Sequence, residues 1–128
     1  MKFKKFNANP KEWKLEGDCA VRAICTAEGL DWLEVYDALY EIGRKKCRMQ
    51  NSKQTYENLL DNLGWIKLPM PRHRDNTRYT VEELIDEYTD KTLIISVAHH
   101  LTCSKNGVLI DTWNCKHKSV GNYWIKKE

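Results

Sequence analysis

The spacing of hydrophobic residues changes along the chain, from a helical period in the first two thirds to strand-like alternation in the last third. A first helix is predicted over residues 19–28, because Val21 and Ile24 share one face and Gly29 follows as a helix-ending residue. The same spacing predicts three further helices, over residues 31–46, 52–64 and 80–88.

Capping residues mark the starts of these three helices. Asp31 precedes Glu34 by three positions, and Thr80 precedes Glu83 by the same distance, which is the pattern of a capping box. Ser52 is a favoured N-cap residue at the start of the helix between them. These signals predict where each helix begins.

The last third of the chain predicts antiparallel strands. Residues 92–113 are rich in β-branched side chains and contain Asn106-Gly107, a dipeptide typical of two-residue hairpin turns. Residues 120–127 predict one more strand, and residues 1–18 predict an irregular N-terminal arm. Helices followed by strands indicate an α+β fold, in which N-terminal helices pack on a C-terminal antiparallel sheet.

Length, composition and charge indicate a single globular domain over residues 1–128, with 41% hydrophobic and 30% charged residues. The 21 Lys and Arg residues nearly balance the 18 Asp and Glu residues and are scattered, so we expect no nucleic-acid partner. No apolar stretch approaches the roughly 18 residues of a transmembrane helix, so we expect no membrane partner. The sequence leaves the oligomeric state open.

The five cysteines are an odd number, and the first ten residues are charged but lack the apolar segment of an export signal. We therefore predict reduced thiols in a cytoplasmic protein and no disulfide framework. The five are Cys19, Cys25, Cys47, Cys103 and Cys115. Free thiols leave room for a catalytic cysteine.

The predicted hairpin brings a histidine and a carboxylate together. If residues 106–107 form a two-residue turn, Thr102 lies opposite Asp111, and His100 lies on the same face as both. Asp111 is then a diagonal neighbour of His100. A one-residue shift of the turn would break this pairing, so the arrangement depends on the register.

Cys19 is predicted in the first turn of a helix, where the helix dipole and a nearby imidazolium stabilise a thiolate. A histidine beside a thiolate needs a third group that fixes its tautomer and orientation, and Asp111 meets this need for His100. Taken singly, each residue also has a structural interpretation, with Cys19 as a buried apolar residue. Their combined geometry favours catalysis.

Four segments of the sequence resemble small papain-like cysteine peptidases of Gram-positive bacteria and their phages. The segments are GDCAVRAI, SVAHHLT, GVLIDTWNC and KSVGNYW, and the resemblance extends from about Asn7 to Trp124. GDCAVRAI is also similar to the nucleophile segment of ovarian-tumour-type deubiquitinases. The pairing of an early Cys with a late His and Asp is similar to C39-type bacteriocin-processing peptidases. The resemblance implies a papain-like fold.

By this resemblance Cys19 is the nucleophile, His100 the general base and Asp111 the residue that orients the histidine. Papain uses an asparagine in the third role, which keeps Asn114 as an alternative third member. Strand alternation places Asn114 on the same face as His99 and opposite to His100, which favours Asp111.

The resemblance is weakest at the oxyanion hole. The glutamine that papain-like and C39-type enzymes place a few residues before the nucleophile has no clear counterpart here. Asn7 or Asn9 could fill this role from the N-terminal arm, with the backbone N–H of Cys19 as the second donor. Trp113 is expected to form a wall of the site that shields the histidine and the carboxylate from water.

The resemblance implies a cysteine hydrolase, either a peptidase or an isopeptidase, that acts on a peptide or protein substrate through an acyl-enzyme without a metal or cofactor. Deamidation and acyl transfer are compatible with the same catalytic residues. The resemblance also implies that the protein could be encoded by a phage and act in the cytoplasm of the host. One alternative is a catalytically silent protein of the same fold, of phage or mobile-element origin, that binds a host protein. Another is a zinc-stabilised binding module, without the usual C-x-x-C spacing, that would use His99, Cys103, Cys115 and His117.

Overall fold

The computed structural model describes residues 1–126, and within that range it contains four α-helices and six β-strands. The helices are α1 (Cys19–Glu28), α2 (Trp32–Lys46), α3 (Lys53–Asn62) and α4 (Val81–Glu87). The strands are β1 (Lys2–Lys5), β2 (Trp65–Leu68), β3 (Thr92–Val97), β4 (His100–Lys105), β5 (Val108–Asp111) and β6 (Tyr123–Lys126). The α+β class predicted from the sequence is confirmed. None of the described helices has the length and hydrophobicity needed to cross a membrane.

The helices begin at the predicted capping residues, with one difference. Thr80 and Glu83 form a complete capping box at α4. The Ser52 hydroxyl accepts a backbone N–H from the first turn of α3. Asp31 is the N-cap residue of α2, but its side chain makes no capping hydrogen bond with the described residues. The capping box predicted for Asp31 and Glu34 is therefore wrong.

The strands form one mixed sheet in the order β1-β5-β4-β3-β6-β2. Neighbouring strands are antiparallel except β1 and β5, which run parallel with Phe3 beside Leu109. The prediction of a purely antiparallel C-terminal sheet is therefore wrong, because β1 lies within the arm predicted as irregular over residues 1–18, and β2 follows α3. Both are four-residue edge strands, which are too short for a clear periodic pattern.

Helices cover both faces of the sheet. The first three pack on one face, around a cluster that includes Ile24, Leu39, Leu60, Ile94 and Trp124. Helix α4 packs on the other face, around a cluster that includes Leu84, Ile85, Leu93, Ile95 and Leu109. Successive residues of β3 alternate between the two clusters, as expected for a strand that is buried on both sides.

Two tight turns set the ends of the central strands. The predicted turn at residues 106–107 is confirmed, and β4 and β5 pair in the predicted register with Cys103 opposite Ile110. A second two-residue turn, at residues 98–99, joins β3 to β4 and gives His99 a positive φ of 56°. His99 therefore belongs to a turn, and its predicted place within a strand is wrong.

Candidate active site

Three residues singled out in the sequence lie at one end of the sheet. Cys19 is the first residue of α1, His100 is the first of β4, and Asp111 is the last of β5. The Nε2 atom of His100 lies 2.6 Å from Oδ2 of Asp111, a short charge-assisted hydrogen bond. Because the carboxylate engages Nε2, Nδ1 is the ring nitrogen left to interact with the Cys19 thiol.

The position of these residues at strand ends explains how they meet helix α1. Leu101 belongs to the cluster beneath α1, so strand alternation directs His100, its neighbour, toward the opposite face. His100 and Asp111 lie at the ends of β4 and β5, however, and helix α1 begins at this same end of the sheet. There the Cys19 thiol forms a hydrogen bond with the His100 side chain.

The carboxylate of Asp111 is buried, and both of its oxygens are engaged. Its Oδ1 accepts hydrogen bonds from the Thr112 N–H at 2.6 Å and from Nη1 of Arg22 at 3.1 Å, while Oδ2 contacts His100. Burial alone raises the pKa of this carboxyl, but hydrogen bonding to His100 and the positive charge of that ring lower it below its ordinary value. Asp111 is therefore an anion at neutral pH.

The imidazole of His100 lies between the other two groups. Burial lowers the pKa of His100, but hydrogen bonds with Asp111 and Cys19 outweigh this effect and raise the pKa to about 9. The ring is therefore protonated at neutral pH. An imidazolium in this position stabilises a thiolate and holds a proton for a leaving group.

The thiol of Cys19 is half-buried at the start of α1. Burial raises its pKa, whereas hydrogen bonding to the His100 side chain and the Leu101 backbone lowers it, as do the positive charges of His100 and Arg22. The net result is a pKa below that of an ordinary thiol, and the helix N-terminus favours the anion further. The site thus favours a thiolate–imidazolium pair.

The other four cysteines lie in different environments. All five are free thiols, and Cys47 is exposed, whereas Cys25, Cys103 and Cys115 are buried. Burial raises the pKa of Cys25, that of Cys103 to about 12 and that of Cys115 to about 11. The Cys19 thiol, in contrast, has a lowered pKa and is partly accessible to solvent.

Cys19 and His100 line a surface cleft of about 510 Å³. Tyr56 of α3 and His99 form part of the same wall. Burial raises the pKa of Tyr56 to about 12, so its phenol stays protonated throughout the neutral range. Sequence reasoning missed Tyr56, because only the fold brings α3 to this cleft.

A second cleft, of about 670 Å³, lies on the Asp111 side of the site. Its walls include Trp13 and Leu15 of the arm together with Arg22 and Trp113. The ring centroids of Trp113 and His100 are 5.1 Å apart, and Trp113 is 41% exposed. This contact covers one side of the imidazole. The shielding role of Trp113 stays a prediction.

The two asparagines considered for the oxyanion hole lie in the arm. The Nδ2 of Asn7 donates to the carbonyl of Trp13 at 3.2 Å, and the Nδ2 of Asn9 donates to the carboxylate of Asp18 at 3.1 Å. Both amides therefore hold the arm in place, and their role toward an oxyanion stays a prediction. The backbone N–H of Cys19 lies in the first turn of α1, where N–H groups have no acceptor within the helix.

Asn114, the alternative third member, lies in the exposed loop after β5. Its Oδ1 accepts a hydrogen bond from the N–H of Lys116 at 3.2 Å. Because β5 ends at Asp111, strand alternation no longer applies at Asn114, and the predicted sharing of a face with His99 is wrong. The structure brings Asp111, and not Asn114, to His100.

Sequence reasoning missed a network around Asp18. This residue occupies the N-cap position of α1, but within residues 1–126 its side chain makes no capping hydrogen bond. Its carboxylate instead accepts hydrogen bonds from Nε of Arg22 at 2.8 Å and from the Trp32 indole at 3.0 Å. Burial raises the pKa of Asp18, and hydrogen bonds from Arg22, Asn9 and Trp32 lower it below its ordinary value. The spacing of Asp18 and Arg22, four residues apart, is the signal in the sequence for such a pair.

Potential metal ligands also meet at this site. Donor atoms of His100, Asp111 and Cys115 lie within 4.8 Å of one another, and they are of the types that zinc accepts. This set differs from the one that the zinc alternative predicts. His99 and His117 are exposed and belong to no cluster of three ligands among residues 1–126.

None of the protein-family models, curated proteins or solved structures compared with the chain matches it. The papain-like resemblance, and the roles that it implies, therefore stay predictions. The basis for a function is the geometry of Cys19, His100 and Asp111 at one end of the sheet.

Proposed function

We propose that the protein is a cysteine hydrolase in which Cys19 is the nucleophile, His100 the acid–base group and Asp111 the residue that orients the imidazole. The observation that carries this proposal is the 2.6 Å hydrogen bond between His100 and Asp111 beside a cleft lined by Cys19. Three roles of thiol catalysis are thus filled by residues from three separate elements.

The proposed reaction begins when the Cys19 thiolate attacks a substrate carbonyl carbon and the carbonyl electron pair moves onto oxygen. The carbonyl re-forms as the bond to the leaving group breaks, and His100 gives its proton to that group, which leaves a thioester on Cys19. Water then attacks the thioester and loses a proton to neutral His100. Release of the acid restores the thiolate and the imidazolium.

We further propose a peptide or isopeptide bond as the substrate. The clefts of about 510 and 670 Å³ on two sides of the triad suit an extended chain that passes across the thiol. The exposed side chains of Trp13 and Leu15 offer apolar contacts to such a chain. We extend the proposal to a papain-like fold. We also propose a reducing, cytoplasmic setting, and the five free thiols support this setting.

The proposal is tested by alkylating the folded protein with iodoacetamide at neutral pH and measuring each cysteine by mass spectrometry. Cys19 should react about tenfold faster than the exposed thiol of Cys47, because the pKa of Cys19 is lowered below that of an ordinary thiol. A broad cysteine-directed vinyl sulfone should label the wild type and not the Cys19→Ala variant. Equal alkylation of Cys19 and Cys47 would contradict the proposal.

One observation favours a second candidate function. Neither Asn7 nor Asn9 lines the cleft of Cys19 and His100, and the Nδ2 of each donates a hydrogen bond within the arm, so neither amide is positioned at the expected oxyanion hole. A catalytically silent protein that binds a host protein would have this property. An activated Cys19 that cleaves no member of a broad peptide library would favour this function over hydrolysis.

A further inference from the structure

We propose that Arg22 is a positioning residue, which holds the nucleophile helix α1 and Asp111 in a fixed relative position by bridging two carboxylates. The inference rests on the proposed function and deepens it. It is carried by one guanidinium that bonds both to Asp18, the residue before the nucleophile, and to Asp111, which contacts His100.

The bridge joins two elements that are distant in sequence. The Nε of Arg22 lies 2.8 Å from Oδ1 of Asp18, and its Nη1 lies 3.1 Å from Oδ1 of Asp111. The Arg22 side chain is 15% exposed, so water screens these contacts weakly. A planar guanidinium fixes the direction of two bonds at once, which an ammonium does not.

The Asp18 end of the bridge is itself anchored. Its carboxylate also accepts hydrogen bonds from the Trp32 indole at 3.0 Å and from the side chain of Asn9 at 3.1 Å. Trp32 begins α2, and Asn9 lies in the arm. Asp18 therefore joins three segments of the chain directly beside Cys19, and Arg22 connects this anchor to Asp111.

The bridge matters because the thiol and the imidazole are carried by different elements. Arg22 lies one turn after Cys19 on α1, so its bond to Asp111 ties the helix to β5 close to the reacting atoms. A misplacement of about 1 Å in an active site costs roughly 10²-fold in rate. Arg22 acts on the geometry through the carboxylates of Asp18 and Asp111.

The positive charge of Arg22 also lowers the pKa of Cys19, so a test must distinguish this effect from the positioning effect of the bridge. The charged and titratable groups around Cys19 come from every element packed against it: Asp18 and Arg22 at the start of α1, Lys53 and Tyr56 on α3, His99 in the turn before β4, His100 on β4, and Asp111 on β5. The Arg22→Lys substitution keeps the positive charge but removes the rigid two-point bridge. The Arg22→Gln substitution removes both.

The experiment measures iodoacetamide alkylation of Cys19 across the acid and neutral pH range. The midpoint of the profile reports thiolate formation, and Cys47 in the same chain serves as the reference thiol. Arg44→Gln, which removes an exposed arginine on α2, is the matched control. Urea unfolding verifies that each variant is folded under the conditions of the assay.

We expect Arg22→Lys to raise the midpoint by about one pH unit, which lowers the rate on the acid side about tenfold. Arg22→Gln should raise it further, whereas Arg44→Gln should leave it unchanged. Asp18→Asn gives an independent test, because its two effects on the alkylation midpoint of Cys19 have opposite signs. Loss of the negative charge alone would lower the midpoint, whereas loss of the hydrogen bonds that anchor Arg22 should raise it.

Two outcomes would overturn the positioning role of Arg22 and leave the proposed function standing. If Arg22→Lys retains the wild-type midpoint, Arg22 acts by charge and not by position. If Asp18→Asn lowers the midpoint, the anchor does not contribute. A wild-type Cys19 that titrates like Cys47 overturns the proposed function and this inference together. If Arg22→Gln does not fold, Arg22→Lys and Asp18→Asn decide the question.

Discussion

Two thiols lie beside the same His100–Asp111 pair, and their chemical properties are opposite. Cys19 begins α1 and lines a cleft, and its pKa lies below that of an ordinary thiol. Cys115 is 1% exposed, although its sulfur lies within 4.8 Å of donor atoms of His100 and Asp111. Burial raises the pKa of Cys115 to about 11. Nearness to a histidine does not by itself make a thiol reactive.

Hydrogen bonds and the sign of the nearest charges together account for the difference. Burial raises the pKa of both thiols, but at Cys19 the hydrogen bonds to the His100 side chain and the Leu101 backbone, with the positive charges of His100 and Arg22, more than reverse the effect. At Cys115 the negative charge of Asp111 raises the pKa further. The same carboxylate therefore suppresses ionisation of Cys115 directly and, by holding His100 protonated, favours ionisation of Cys19.

The largest expected effect comes from removing each thiol in turn. Cys19→Ala should lower the rate of acylation by p-nitrophenyl acetate about 10³-fold, to the background of the exposed Cys47 thiol. This ratio exceeds the tenfold expected for alkylation, because acyl transfer also uses the acid–base function of His100, which Cys47 lacks. Cys115→Ala should leave this rate within about threefold and cost about 1 kcal/mol of unfolding free energy for the small cavity. Stopped-flow absorbance and urea unfolding measure the two quantities. A folded Cys115→Ala protein as inactive as Cys19→Ala would reverse the assignment of the two thiols.

Asp111→Asn tests the charge that separates the two thiols. The acylation rate should fall about 10²-fold, less than the roughly 10⁴-fold of a serine triad, because a thiol ionises more readily than a hydroxyl. The pKa of His100 should fall from about 9, since its hydrogen-bonded anion is lost. Titration of the four histidine C–H signals by NMR follows this change, with the other three histidines as internal references. An unchanged His100 titration would show that Asp111 does not control the imidazole.

Much of the site could be predicted from the sequence, because local signals set its two halves. Gly29 ends the helix that begins at Cys19, and the turn at residues 106–107 fixes the register that aligns His100 with Asp111. A two-residue turn and a helix stop depend on backbone conformations of a few adjacent residues, so they are readable without the rest of the fold.

What could not be predicted depends on contacts between distant segments. The lysine-rich strand β1 pairs with β5 across most of the chain, and nothing in its four residues indicates that partner. The same holds for Asp18, whose local pattern suggests a helix cap but whose carboxylate instead bonds to Asn9, Arg22 and Trp32. Burial makes these partners necessary, and burial is a property of the tertiary structure.

The pH dependence of stability offers a smaller and more specific test. The pKa of His100 is raised in the folded state, so its stabilisation is full below about 6.5 and is lost as the pH rises through about 9. The pKa of Cys19 is lowered, so its stabilisation is present above the pKa of an unfolded thiol and is lost as the pH falls through the folded value. The two slopes oppose each other in the wild type wherever the pH lies between the folded and the unfolded pKa of Cys19.

Removing Cys19 therefore exposes the slope of His100. Cys19→Ala removes the contribution of Cys19 to the raised pKa of His100 but leaves that of Asp111, so its unfolding free energy should still fall, by about 1 kcal/mol, from about pH 6.5 to 8.5. The fall should be smaller in the wild type, because ionisation of Cys19 opposes it. Cys115→Ala should follow the wild type, because the Cys115 thiol stays neutral over this range. Urea unfolding at a series of pH values measures all three. Parallel curves for Cys19→Ala and the wild type would mean that Cys19 is not ionised in the folded protein.

The smallest effect on the reactivity of Cys19 is expected from Trp113, which packs against the His100 ring. Trp113 lies against the His100 ring with a centroid distance of 5.1 Å, and a ring beside a cation contributes about 0.5–1 kcal/mol. Trp113→Leu should therefore lower alkylation of Cys19 by iodoacetamide about two- to fivefold on the acid side of its midpoint, because the imidazolium that stabilises the thiolate is itself less stable. Trp13→Leu is the matched control, since Trp13 is 63% exposed on the arm and lines the same second cleft. Equal rates in the two variants would show that the Trp113 ring does not act on the imidazolium and does not contribute to the activation of Cys19.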